Sequence, residues 1–91
     1  MLMATYHIIV TGLVQGVFYR VETRKKANEL NLGGWVKNAV NGNVEIMATG
    51  SVDDLDELVA WCRVGPPRSE VRDVTVIPVR DQSFDSFSIL R

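Results

Sequence analysis

The sequence has one cysteine, Cys62, and one histidine, His7, among 91 residues. A lone cysteine closes no internal disulfide, and without a Cys/His cluster there is no zinc-site spacing to read. An excess of either charge is missing as well: ten basic against eleven acidic residues leave a formal net charge of −1. Nucleic-acid-binding domains usually carry a basic excess, so no nucleic-acid partner is expected, although a local basic site for one small anion stays open. No apolar run approaches the roughly 20 residues that cross a bilayer. The start, Met1-Leu2-Met3-Ala4-Thr5-Tyr6, is neither basic nor followed by an apolar core of signal-peptide length. These absences lead us to expect a cytoplasmic protein with no membrane partner.

What is present is the composition of an ordinary globular domain, 46% hydrophobic and 23% charged. No linker, low-complexity segment or repeat divides the chain, so residues 1–91 read as one domain, with a monomer as the default at this size. Tyr6 to Val10 is rich in β-branched and aromatic residues, which predicts a first strand ending before Gly12. A loop over 14–19 follows, with Gly16 as its flexible point. Val21 to Leu32 turns polar and helix-forming, and Gly33-Gly34 offers a left-handed C-terminal cap. Trp35 to Ala39 and Val44 to Thr49 predict two strands joined across Asn41-Gly42, both of which tolerate positive φ.

Ser51 and Asp54 have capping-box spacing. Leu55, Leu58, Val59 and Cys62 then recur at i, i+3, i+4 and i+7, the apolar stripe of a helix that Gly65-Pro66-Pro67 ends. Val71 to Val79 and Phe84 to Leu90 are the last expected strands, and Pro78 predicts that the former frays or lies at an edge. The order predicts an α+β fold, the ferredoxin-like βαββαβ sandwich, with two helices on one face of an antiparallel sheet. That fold hosts RNA-binding, regulatory and metallochaperone domains alike, so function has to come from particular residues.

The loop before the first helix carries Gly16 and, where the helix begins, Arg20. Amides at a helix N-terminus lack intrahelical partners, and the helix dipole favours an anion there. Gly16 lets successive amides converge, and the planar guanidinium of Arg20 suits two phosphate oxygens. The plain alternative is an ordinary turn with a solvated arginine. Asn38 has two readings as well: a local bond to nearby backbone, or an amide that holds a water against a bound phosphorus. Spacing alone leaves both open.

Val10-Thr11-Gly12-Leu13-Val14-Gln15-Gly16-Val17-Phe18-Tyr19-Arg20 resembles the first signature of the acylphosphatase family. Gly34-Trp35-Val36-Lys37-Asn38, with Gly42, Val44 and Gly50, resembles the second, in matching register. The Gly65-Pro66-Pro67 turn, Val71, Val74 and the closing Phe87-Ser88-Ile89 extend the resemblance from about Tyr6 to Leu90. It implies hydrolysis of acyl phosphates to a carboxylate and inorganic phosphate, the latter also an inhibitor. It further implies that Arg20 binds the phosphate, that Asn38 orients the attacking water, and that the amides of Gln15, Gly16, Val17, Phe18, Tyr19 and Arg20 form the cradle. No metal or other cofactor is implied. The resemblance departs at Tyr19, where the family usually has Phe or Met, and the added hydroxyl needs a partner. The Leu90-Arg91 ending also differs from longer-tailed relatives.

An acyl phosphate expels a carboxylate whose conjugate acid has a pKa of about 4, so the leaving group needs no protonation. Positioning and charge stabilisation, which an arginine and backbone amides supply, carry most of phosphoryl transfer. With no evident protein base, the substrate phosphate is expected to take the water proton. The rival is a non-catalytic phosphate- or acyl-phosphate-binding module on the same fold. Single-stranded RNA binding is disfavoured, since Val44 to Thr49 carries no aromatic.

The remaining polar residues read as structural. His7 is expected to be a satisfied or solvent-facing strand residue, and Cys62 a small core residue. Asp53, Asp54, Asp56 and Glu57 read as acids complementing a helix dipole. Arg24, Lys25 and Lys26 read as a solvated face, and Trp35 and Trp61 as packing aromatics.

Overall fold

The computed structural model describes residues 2–91. Its elements are β1 (Met3–Leu13), α1 (Tyr19–Glu29), β2 (Gly33–Asn38), β3 (Val44–Ser51), α2 (Val52–Val64), β4 (Glu70–Val79) and β5 (Phe87–Leu90). The strands form one sheet in the order β4-β1-β3-β2-β5. β1 pairs antiparallel with β3 and β4, and β2 pairs antiparallel with β3.

Alternation decides which face the helices cover. β3 alternates buried and half-buried residues along its length, so Val44, Ile46 and Ala48 share one face. Across the ladder, Val10 lies opposite Val44, Ile8 and Val36 opposite Ile46, and Val74 opposite Val10, all on that face. The predicted stripe Leu55, Leu58, Val59 and Cys62 is the buried side of α2. α1 has a thinner buried stripe of Tyr19, Thr23 and Ala27; the Thr23 hydroxyl stays satisfied by donating to the Tyr19 carbonyl at 2.7 Å.

The ferredoxin-like order of elements is observed, with one difference at the sheet edge. β5 runs parallel to β2, pairing Gly34 with Phe87 and Val36 with Ile89, so the sheet is mixed and not wholly antiparallel. β5 also begins at Phe87 instead of Phe84. β4 occupies the opposite edge, which is where Pro78 can lack an amide donor at no cost to the ladder.

Three local expectations change in detail. α1 starts at Tyr19 and stops at Glu29, and Gly33-Gly34 belongs to β2 instead of capping the helix. Asn31, at φ 57°, takes the left-handed position. The Leu32 amide donates to the Ala27 carbonyl and the Asn31 amide to that of Asn28, a Schellman closure with asparagine in the usual glycine place. In the hairpin only Gly42 has positive φ, while the Gly42 amide donates to the Ala39 carbonyl at 3.2 Å. The turn is therefore built on Val40-Asn41 with Gly42 after it, the longer hairpin form and not a two-residue Asn-Gly turn. Ser51 caps α2 as expected, its Oγ accepting from the Asp54 amide at 3.2 Å.

Candidate active site

β1 leaves the sheet through a register shift between Thr11 and Gly12. Gly12, at φ 126°, lies so close to β4 that a Cβ there would sit 2.1 Å from the Glu70 carbonyl oxygen. Only glycine allows this approach. It delivers residues 14–18 over the end of the sheet as a loop.

Within that loop Gly16 has φ 75° and Phe18 φ 65°, while Val17 between them is outside the positive-φ region. Alternation of hand along consecutive residues turns their N–H groups into one concavity, the geometry of an anion nest. Among the described residues, no backbone carbonyl accepts from the amides of Gln15 to Arg20; the first bond of the α1 start runs from the Glu22 amide to the Phe18 carbonyl at 3.0 Å. The six unpartnered donors also sit at the positive end of the α1 dipole. Phe18 is the N-cap of α1 and offers no side-chain cap.

Arg20 is the second residue of α1, and Asn38 is the last residue of β2, opposite Val44 on the helix-facing side. α1 lies over β2, so these two residues, 18 positions apart in sequence, line one cavity of about 240 Å3 with Val14, Gly16, Phe18, Tyr19 and Val21. Among the described residues Lys26–Glu57 is an ion pair and His7 contacts Glu45; Arg20 belongs to neither pair. Asn38 Oδ1 is buried and has no hydrogen-bond partner. A bond from Asn38 Oδ1 to nearby backbone is thus not what the structure shows. A buried acceptor without a partner carries a penalty of about 1–3 kcal/mol.

The loop is held to the β2–β3 hairpin by a side chain that the sequence reading assigned only as a cradle amide. Gln15 Nε2 donates to the carbonyls of Ala39 and Asn43, each at 2.8 Å. No local pattern announces this clamp, because its acceptors are backbone atoms 24 and 28 positions away. Val14 and Val21 also line the cavity without having been singled out. Their apolar side chains hold no ligand-directed signal that a core residue lacks.

Tyr19 contributes its amide to the loop and its ring to the core, where it is 1% exposed. The hydroxyl donates to the Cys62 carbonyl at 2.8 Å, and the ring packs against Trp61 at 5.5 Å between centroids. Cys62 lies in the last turn of α2, whose carbonyls have no intrahelical donors, so Tyr19 caps that helix end. Burial drives the Tyr19 hydroxyl pKa above its ordinary value and pushes the Cys62 thiol up to about 12. At that value the thiol stays protonated and inert near neutrality.

The residues set aside in the sequence lie away from the cavity. His7 Nε2 bonds Glu45 Oε1 at 3.0 Å on the helix-free face of the sheet. Asp54 serves the α2 cap, Asp56 accepts from the Tyr6 hydroxyl at 3.3 Å, and Glu57 faces Lys26 across the helix pair. Lys37 Nζ lies 5.3 Å from the Trp35 ring centroid.

The family model described as Acylphosphatase matches residues 6–89. The acylphosphatase of Methylococcus capsulatus is 44% identical over 93 residues, covering 98% of each chain. The solved structure of an acylphosphatase from Coxiella burnetii superposes with a TM-score of 0.94 at 40% identity, covering 97% of this chain and 93% of the other. The crystal structure of acylphosphatase from Bacillus subtilis gives 0.93 at 38% identity, covering 99% and 100%. With the family model matching nearly its whole length and relatives above 40% identity, this chain belongs to the acylphosphatase family.

Proposed function

We propose that this chain hydrolyses acyl phosphates to a carboxylate and inorganic phosphate, without a metal, by attack of an oriented water. Arg20 grips two oxygens of the phosphoryl group, and the amides of Gln15 to Arg20 surround the rest. Donors fixed before the reaction stabilise the charge that develops on the phosphoryl oxygens, each worth on the order of 3–4 kcal/mol in well-measured cases. Asn38 holds the water. Its χ2 is a soft two-fold torsion, so a half-turn exchanges the amide oxygen and nitrogen at the cavity wall. The oxygen then accepts from the water and leaves its lone pair facing phosphorus.

The water oxygen bonds to phosphorus as the bond from phosphorus to the acyl oxygen breaks, and the electron pair leaves with the carboxylate. The water proton passes to a phosphoryl oxygen of the substrate. The products are one carboxylate and one dihydrogen phosphate, which balances charge and atoms without a protein acid or base. Alkyl phosphates, with alkoxide leaving groups, are poor substrates for this inventory. The reading carries with it a single cytoplasmic domain acting as a monomer, for which a free buried thiol fits a reducing compartment.

The observation that carries the reading is the shared cavity: Arg20 and the partnerless Asn38 line it together with Gly16, Phe18 and Tyr19 of the loop whose amides have no carbonyl partner. Benzoyl phosphate hydrolysis in the presence of a chelator tests it. Turnover well above the uncatalysed rate is expected. Phosphate binding without turnover would establish the non-catalytic module instead, and activity abolished by the chelator would remove the metal-free claim.

A further inference from the structure

Asn41 is the one asparagine that glycine follows; Asn28, Asn31, Asn38 and Asn43 precede Glu, Leu, Ala and Val, whose side chains crowd the next peptide nitrogen. Asn41 and Gly42 lie in the turn between β2 and β3, where little packs on them. Asn41 is exposed, Val40 before it is wholly exposed, and a Cβ on Gly42 would meet no atom within 4 Å. The Asn43 amide donates to Asn41 Oδ1 at 3.1 Å. That bond closes a ring containing both Asn41 Cγ and the Gly42 nitrogen, and it draws electrons from Cγ. The Gly42 amide donates to the Ala39 carbonyl at 3.2 Å, the long end of the ordinary range.

The same turn sets the spacing of the loop clamp. Gln15 Nε2 holds the carbonyls of Ala39 and Asn43, each at 2.8 Å, and only Val40, Asn41 and Gly42 separate those two residues. Ala39 directly follows Asn38.

We propose that Asn41 is a site of spontaneous deamidation, and that its isoaspartyl product releases the Gln15 clamp and slows turnover. The effect on turnover rests on the acylphosphatase reading; the covalent step does not. Hydroxide takes the Gly42 amide proton, and the nitrogen bonds to Asn41 Cγ. The bond from Cγ to Nδ2 breaks, and Nδ2 leaves as ammonia with a proton from water. The cyclic imide then adds one water, and nothing is oxidised or reduced. Opening between the nitrogen and Cγ restores the main chain with aspartate at this position. Opening between the nitrogen and the main-chain carbonyl carbon leaves the chain running through Cβ and Cγ, one carbon longer.

The two products differ in consequence. Aspartate keeps an oxygen for the Asn43 amide, so the turn and the clamp survive. Isoaspartate inserts a carbon between Ala39 and Asn43, and one Gln15 nitrogen no longer reaches both carbonyls. The loop then loses its hold beside Asn38, where a displacement of about 1 Å is worth up to 100-fold in rate.

The test ages the wild type and Asn41→Ser side by side at mildly alkaline pH, with fresh Asn41→Asp as the mimic of the harmless product. Peptide mapping by mass spectrometry, with enzymatic methylation of isoaspartate, reads the covalent change, and benzoyl phosphate hydrolysis reads the function. The wild type is expected to gain isoaspartate at position 41 and to lose activity in step, the isoaspartyl species keeping at most about one tenth of the starting kcat. Fresh Asn41→Asp should stay within about twofold of the fresh wild type, as exposed substitutions usually do. Asn41→Ser, whose hydroxyl still accepts from the Asn43 amide but cannot form the imide, should keep its activity throughout. Absence of isoaspartate at position 41 overturns the proposal. So does isoaspartate that leaves kcat unchanged, or an equal loss of activity in Asn41→Ser. If the fresh wild type hydrolyses no acyl phosphate, the parent reading falls, and the affinity for inorganic phosphate takes over as readout: weaker binding in the isoaspartyl protein supports release of the clamp, and unchanged binding overturns it.

Discussion

Gln15 Nε2 donates to the Ala39 carbonyl at 2.8 Å, and Ala39 directly follows Asn38. The loop that forms the amide nest is therefore clamped one residue away from the side chain proposed to hold the water. A second bond from the same nitrogen to the Asn43 carbonyl fixes the other side of the hairpin.

Gln15→Ala removes both bonds and should lower kcat by tenfold or more, since misplacing reacting groups by about 1 Å is worth up to 100-fold. Stability should fall by about 1 kcal/mol, because the two bonds are lost while each carbonyl keeps a backbone donor, the Gly42 amide for Ala39 and the Ala39 amide for Asn43. Steady-state kinetics and thermal unfolding of the same variant check this. Wild-type kcat in a destabilised protein would separate the clamp from catalysis.

Asn38→Ala should slow turnover by roughly 100-fold with little change in phosphate affinity, whereas Arg20→Ala should weaken phosphate binding as well as turnover. Asn38→Ala also removes an acceptor that is buried without a partner. Its melting temperature should therefore stay level or rise, the pattern of a residue kept for function at the expense of stability. Equal losses of phosphate affinity in the two variants would contradict the division of roles. A lower melting temperature for Asn38→Ala would show that the side chain is structural.

Tyr19→Phe keeps the ring against Trp61 and deletes the hydroxyl that satisfies the Cys62 carbonyl. A loss of about 1 kcal/mol is expected, a fall of roughly 4–8 °C in melting temperature for a domain of this length. Activity should change little, because in the proposed mechanism Tyr19 meets the phosphate only through its amide. Calorimetry that finds no loss of stability would mean the carbonyl recruits another donor.

Cys62 predicts an alkaline limit to stability. Its thiol titrates near 9.0 when exposed and is pushed up to about 12 by burial in the fold. The folded state therefore holds this proton more tightly than the unfolded state. The contribution is fully present below pH 9 and is lost as pH rises from about 9 towards 12, at up to about 1.4 kcal/mol per pH unit. Tyr19, whose hydroxyl is also raised by burial, adds its own loss only above pH 10. Urea titrations between pH 8.5 and 10 should show the decline in the wild type and a flatter profile in Cys62→Ala. Parallel profiles would assign the decline to other groups.

Features written in contiguous residues were legible. The stripe Leu55, Leu58, Val59 and Cys62, the Ser51 cap and the Gly65 stop each depend on atoms within a turn or two of chain, so spacing was enough to place α2. The same holds for the hairpin between β2 and β3, although the choice among turn forms, with Gly42 alone at positive φ, went beyond what Asn41-Gly42 specifies. The end of α1 was misplaced because Asn31 tolerates the left-handed conformation and stands ahead of the more evident Gly33-Gly34. Arg20 and the glycine of the loop could be nominated from helix-terminus physics, and Asn38 only through its family resemblance.

What tertiary structure decided is which distant groups meet. The parallel pairing of β5 with β2 depends on a crossover that no local pattern records. The Gln15 clamp and the Tyr19 bond to Cys62 both end on backbone carbonyls, which every residue type possesses and which sequence therefore cannot mark. The unpartnered state of Asn38 Oδ1 is likewise a property of its surroundings and not of asparagine. By itself the sequence determined the periodicities, the caps and the chemical parts of the site. Packing α1 over the end of β2 turned an arginine and an asparagine 18 residues apart into one cavity.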